Sequence, residues 1–357
     1  MAKKRKTLPK EIQELLQSGD MEALKEAFSR CEPNAVTGRY GSNIFSLTPL
    51  PRVFALWAKE QGADVNFRDC YGTTPIFNHA SFYNGDVPLL IELGADVRAR
   101  KKNSGVTPLH LAATYGRIEA MRALIDAGAE VDVRATELFD NRCTPLEMAL
   151  EQKRLPFPLM LEVCTILLDH GAQMTERARQ SAAHIGEQFQ RNKRGITDPA
   201  YLRTQEEGLA GLETLFGVER APEVPFHDGV SPIVITETGF QAQFKKLWDY
   251  LIPPSGRAQT AQGEAIRIAG RVDDEITRNG GANWDGDYRS MLKMFPAYLR
   301  LGKPLSEADL AEAERIAALL RDGCDDETLS ATLCAYAVAW VLQNPQVLPP
   351  LAADYRR

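Results

Sequence analysis

Residues 104–134, SGVTPLHLAATYGRIEAMRALIDAGAEVDVR, decide the fold of this chain. Gly105 lets the backbone turn, and Thr107 can cap a helix whose first position is taken by Pro108. Leu109, Leu111, Ala112 and Ala113 make that helix apolar until Gly116 stops it. A second helix follows, with Ile118, Met121, Leu124 and Ile125 at helical spacing and Gly128 where a left-handed cap is wanted. Neither helix is long enough to be stable alone. The unit must therefore be buried between copies of itself.

Thr107 to Ala112 carries the pattern T-P-L-H-x-A, and the stretch resembles an ankyrin repeat. The resemblance implies an all-α solenoid that binds another protein. Thr74 stands one 33-residue ankyrin period before Thr107, opening a third unit over residues 70–102. The second unit is degenerate. Its Thr48-Pro49-Leu50 looks like a repeat start, but alignment from Gly62-Ala63-Asp64 puts Asn43 at the threonine position and TPLP between two helices. Residues 11–17 and 21–28 read as a capping helix pair with Asp20 as an N-cap. A fifth unit starts at Thr144-Pro145 and ends at Gly171, with its six extra residues expected as a loop over 153–158. The finger before it is also long and should project residues 135–140.

The repeat pattern stops at Thr175. Two helices, about 175–191 and 198–216, would close the array, and a stretch rich in proline and glycine (221–232) marks a boundary. The expected division is an array over 1–175, a closing pair over 176–222 and a small helical C-terminal domain over 223–357. In the last, Ile233 to Thr236 is the one strand candidate. Helices are expected over 240–251, 258–278, 287–301, 306–321 and 326–342, the final one apolar nearly all round and so the buried centre.

Composition limits what the chain can do. The net charge of −6 gives no support for nucleic-acid binding, and no apolar run approaches the roughly 18 residues that span a bilayer. The basic start, MAKKRKTLPK, has no apolar stretch behind it, so it reads as a solvated, disordered tail rather than a signal. Six cysteines and five histidines are scattered without a metal-binding spacing, and no cofactor is implied. Reduced thiols suit a cytoplasmic protein.

Two candidate sites emerge. In the Thr-Pro register the exposed finger and inner-helix positions are Tyr71, Thr73, Phe82, Tyr83, Asn103, Thr114, Tyr115, Phe139, Asp140 and Asn141, and aromatics there suit partner binding. His110, Asp64, Asn66 and Asp96 are assigned to turn chemistry instead. The alternative is a polar ligand or acid–base site at Glu264, Arg267, Arg271 and Asp285, against which stands an internal ion-pair and capping network. Glu264 and Glu275 lie about 16 Å apart along a helix, too far for a glycosidase pair. Residues 253–288 resemble a segment of bacterial proteins, some ankyrin-bearing, found beside secreted toxins. That resemblance implies an immunity-type inhibitor holding a toxin inactive. No catalytic residues are assigned. An enzyme and a structural adaptor remain the other readings.

Overall fold

The computed structural model describes residues 3–38, 41–135, 142–152 and 155–355. Its chain opens on a parallel pairing of β1 (Arg5–Thr7) with β2 (Cys31–Val36). These strands bracket helices α1 (Ile12–Ser18) and α2 (Met21–Ser29). The basic start is thus not a free tail: its side chains are exposed, but Arg5 donates its N–H to Arg30 O and Leu8 to Val36 O. Asp20 caps α2 as its sequence position demands, accepting from Ala23 N–H at 3.0 Å.

The degenerate unit keeps one α-helix. A 3-10 turn, Ile44–Ser46, replaces the first helix, and Asn43 caps it by accepting from Phe45 N–H at 3.2 Å. The second helix is α3 (Arg52–Glu60). Regular helix pairs follow: α4 (Pro75–Ser81) with α5 (Val87–Glu92), α6 (Pro108–Thr114) with α7 (Ile118–Asp126), and α8 (Pro145–Gln152) with α9 (Phe157–Asp169). The inner helices α4, α6 and α8 pack side by side, and Leu109, Ala112 and Ala113 of α6 are fully buried between neighbours.

The fifth unit absorbs its extra residues differently from the sequence expectation. Of the expected loop, residues 153 and 154 lie outside the described residues, and α9 already begins at Phe157. The excess lengthens α9 to 13 residues because Pro156 and Pro158 sit at its start, where a helix needs no N–H from them. Helices α10 (Glu176–Asn192) and α11 (Pro199–Phe216) come next, with Asp198 capping α11. Gly208 and Gly211 let α11 lie close on α9: a Cβ on Gly208 would stand 2.5 Å from Pro158 N.

The contacts divide the chain into two units. One comprises residues 1–187 with 198–221, the other 188–197 with 222–357. The second unit holds α12 (Phe240–Leu251), α13 (Ala261–Asn279), α14 (Gly286–Leu299), α15 (Glu307–Arg321) and α16 (Glu327–Gln343). Ser306 and Asp326 cap the last two with their side chains. The expected strand at 233–236 is extended chain instead, with Ile233 N–H donated to Pro345 O at 2.7 Å.

The buried centre is also displaced from expectation. Every residue from Ala261 to Gly270 of α13 is buried, whereas α16 exposes Ala331, Ala339 and Leu342. Gly270 makes room for α12, since a Cβ there would meet Trp248 at 2.3 Å. The polar-looking helix can be central because Gln262, Glu264, Arg267 and Glu275 each have a partner. Gln262 donates to Asn344 O and Gln346 O and accepts from Leu348 N–H.

Candidate functional site

Each repeat joins the next through a hairpin finger, and the backbone shows how each finger closes. Asp69 N–H meets Thr73 O at 3.0 Å, Lys101 N–H meets Val106 O at 2.9 Å, and Ala135 N–H meets Cys143 O at 2.9 Å. In the first of these, the Asp69 carboxylate also accepts from the N–H groups of Tyr71 and Thr73, both at 2.9 Å. That arrangement fixes the tip and holds Tyr71 outward, 63% exposed. Asn103 is exposed on the next tip, and Thr73 is half-buried.

Phe82 and Tyr83 follow α4 at the end of the inner helix, 52% and 83% exposed. Tyr115 holds the corresponding place after α6 and is half-buried. Thr114 departs from the expected surface. Its side chain is buried and donates to His110 O at 2.7 Å, because a helix-ending hydroxyl can satisfy itself on the preceding turn. Phe139, Asp140 and Asn141 lie outside the described residues.

Beneath this face the units are stitched at a constant step. Asn34 Oδ1 accepts from Asp64 N–H, Asn66 Oδ1 from Asp96 N–H, and Arg98 Nε donates to Gly128 O, each pair 30 residues apart. Asp64 and Asp96 in turn accept from the N–H two residues on. This is turn chemistry, as their spacing indicated.

Two histidines are built into the stack. His110 Nδ1 accepts from Thr107 N–H at 3.2 Å, which leaves the proton on Nε2 for Cys143 O at 3.1 Å. His79, not singled out in the sequence, points the other way: Nδ1 accepts from Asp86 N–H and Nε2 donates to Phe45 O at 3.0 Å. Burial lowers both imidazoles to about 4. Neither is free for catalysis.

Glu147 was also missed. It stands where the fourth unit has His110, fully buried, and ties three elements together. It accepts from Thr144 N–H at 3.0 Å, from the Thr175 hydroxyl at 2.6 Å and from Arg134 at 3.3 Å. Thr144 followed three residues later by Glu is a capping box, and that signal was present in the sequence.

The alternative polar site does not assemble. Glu264 and Arg267 meet at 2.6 Å and are fully buried. Asp285 instead caps α14, accepting from Asp287 N–H and Tyr288 N–H at the far end of α13. Arg271 is half-buried between the two places. Around Glu264 the partners are Arg257, Ala258 N–H and the Tyr355 hydroxyl. Burial pushes the Glu264 carboxyl up, but these donors and Arg267 outweigh it and hold it below the usual carboxylate range. Burial and the neighbouring Tyr298 and Glu264 raise the Tyr355 phenol. A second, separate cluster gathers at Glu275, which accepts from Asn279, Asn283 and Tyr288. Both clusters satisfy their carboxylates internally, which is what a positioning network does.

Residues 49–135 match the family model for ankyrin repeats, in three copies. A Danio rerio protein named "Putative palmitoyltransferase ZDHHC13" is 28% identical to this chain over 131 residues. The match takes in 36% of this chain and 18% of that relative, so the chain spans under a fifth of the relative's length. The chain thus carries ankyrin repeats, which are protein–protein interaction modules. Among the described residues no helix is long and apolar enough to cross a membrane.

Proposed function

We propose that this chain is a non-enzymatic binding protein whose partner lies across the fingers and inner-helix ends of residues 69–115. The observation that carries the reading is the exposure of Tyr71, Phe82 and Tyr83 on one repeat. Large rings at a surface where stacking does not require them are the residue type that anchors interfaces. The polar groups of α13 support the same reading from the other side. Glu264 and Arg267 are closed off and mutually satisfied, so they offer a substrate nothing to bind. Palmitoyl transfer is no part of the proposal, since the zebrafish relative shares less than a fifth of its length with this chain.

The finer proposal is that the partner is a toxin held inactive. It rests on the resemblance of residues 253–288 alone, as does a bacterial origin, and the cytoplasmic setting rests on the cysteine pattern. Co-expression of this chain with a toxin encoded beside it tests that part: growth rescue supports inhibition, and death of the cells removes it.

The binding face is tested with partner recovered by affinity pull-down. Calorimetric titration of Tyr71→Ala and Tyr115→Ala should show a loss of about 1–3 kcal/mol each. The thermal melt of Tyr71→Ala should match the wild type. Wild-type affinity in both variants would move the site off this face.

A further inference from the structure

Residues 344–355 carry neither helix nor strand, and the second unit holds them in two different ways. Residues 344–348 are tied to Gln262. Its side chain donates to Asn344 O and Gln346 O and accepts from Leu348 N–H, while Ala261 N–H is donated to Leu348 O at 2.8 Å. Lifting this part would strand a buried amide. Residues 349–355 are held otherwise. Pro349 and Pro350 are exposed and have no N–H, so no backbone ladder runs through them. Burial then alternates: Leu351 and Ala353 are half-buried, Ala352 and Asp354 are exposed, and Tyr355 is buried. An extended segment lying on a surface has that period.

Among the described residues, side chains make every hydrogen bond to this second part. Arg257 donates to Leu351 O at 2.6 Å, and the Tyr355 hydroxyl donates to Glu264 at 2.8 Å and stands 3.5 Å from the Tyr298 hydroxyl. The guanidinium groups of Arg257 and Arg267 lie over the Tyr355 ring, 5.3 and 5.6 Å from its centre. The pocket is thus built for a phenol: two cations for its face and a carboxylate for its hydroxyl. Withdrawing the ring strands no charge in it. Glu264 keeps Arg257, Arg267 and Ala258 N–H, and water can take the place of the hydroxyl. One donor on a main-chain carbonyl and one pocket for a side chain is how a receptor grips an extended peptide.

We propose that Arg257, Glu264, Arg267 and Tyr298 form a recognition site for an extended, tyrosine-bearing segment, and that residues 349–355 fill it in cis as a detachable latch. The segment that replaces the latch in trans has the same chemistry: a proline-stiffened start, an apolar residue, and a tyrosine four positions on. Prolines hold such a segment extended beforehand and lower the cost of ordering it. Phenylalanine would leave Glu264 one donor short. The site lies wholly within the second unit and is independent of the repeat face.

The test uses the full chain. Tetranitromethane nitrates accessible tyrosines, and peptide mapping by mass spectrometry reads each one. Tyr355 should be nitrated in the folded protein while Tyr298, equally enclosed on α14, is not. Arg257→Gln should speed nitration of Tyr355 about tenfold and leave Tyr298 unreactive. A labelled synthetic peptide, PPLAADY (residues 349–355), is then titrated by fluorescence anisotropy. Tyr355→Ala should bind it. The wild type should exclude it, because a tethered segment has an effective concentration in the millimolar range. The same peptide with phenylalanine at its last position should bind about tenfold more weakly. Nitration of Tyr355 no faster than that of Tyr298, in either protein, overturns the latch. Tyr355→Ala that loses its near-ultraviolet circular dichroism overturns it too, since the segment is then part of the core. Tyr355→Ala that stays folded without binding the peptide overturns the recognition site. Equal affinity for the phenylalanine peptide overturns the part given to Glu264.

Discussion

Glu264 and Arg267 stand one turn apart on α13, 2.6 Å from each other, with both side chains fully buried. The pair sits on the helix that α12, α14 and α16 pack against, so its charges must be satisfied where they are. Arg257, Ala258 N–H and Tyr355 complete that satisfaction. Removing one partner leaves a buried charge exposed to nothing. Arg267→Met is therefore expected to destabilise the second unit by about 3–5 kcal/mol. Adding Glu264→Gln should recover part of that loss, because it removes the stranded charge. Urea unfolding of the single and double variants checks this; strictly additive losses would contradict it.

Acid should weaken the repeat array through its histidines. His79 and His110 titrate near 6.5 when unfolded and are lowered to about 4 in the fold. Their contribution to stability is complete above pH 6.5 and is lost as pH falls from there through about 4, because the unfolded chain takes up the protons first. The loss should approach about 3 kcal/mol for each imidazole at the low end. Denaturant midpoints measured between pH 7 and 4 should drop, and His110→Gln should flatten the slope. A midpoint independent of pH in this window would remove the neutral, Nε2-protonated assignment.

Gly208 should tolerate no side chain. A Cβ there meets Pro158 N at 2.5 Å and Phe157 C at 2.7 Å, both backbone atoms that cannot rotate away. Gly208→Ala is expected to cost about 1–3 kcal/mol by forcing α11 off α9, despite alanine's better helix propensity. A melt of the variant at or above the wild-type temperature would show that the two helices are not held this closely.

Glu147→Ala should cost about 1–3 kcal/mol, since it strands the buried Thr144 N–H and releases Thr175 and Arg134 together. Hydrogen exchange would report the change at the start of α8 and of α10 while leaving α4 protected. Uniform loss of protection across α4 to α9 would contradict a local tie.

What could be read from the sequence was what depends on near neighbours. The helix starts expected at 198, 306 and 326 are where Asp198, Ser306 and Asp326 cap their helices with their own side chains. Asn43 could be placed because alignment back from Gly62-Ala63-Asp64 put it at the threonine position of the repeat. The burial of α13 could not be read this way. Gln262, and Glu264 in part, are satisfied by groups that lie 82 to 91 residues further along, and periodicity carries no trace of them. Asp285 looked like a companion of Glu264 because both are acidic and lie in one polar stretch, but one caps α14 while the other is sealed inside α13. Thr114 failed on a finer scale, where its hydroxyl chose the preceding turn over solvent. Glu147, three residues after Thr144, was legible as a capping box.

The two units also differ in when their parts become available during synthesis. A repeat stitched to its neighbour 30 residues back, as Asp64 is to Asn34 and Asp96 to Asn66, can settle soon after it leaves the ribosome. Helix α13 has α12 beside it early, but not all the partners of its buried polar groups. Gln262 waits for Asn344 and Gln346, and Glu264 for Tyr355. Until those residues are made, the helix carries two charges and an amide that need water and an apolar face that avoids it. Ordering in the second unit is therefore deferred to its final segment, while the repeats can already be in place. A chain halted near residue 340 would present folded repeats joined to a sticky, incomplete partner, the species that chaperones and proteases would be expected to meet.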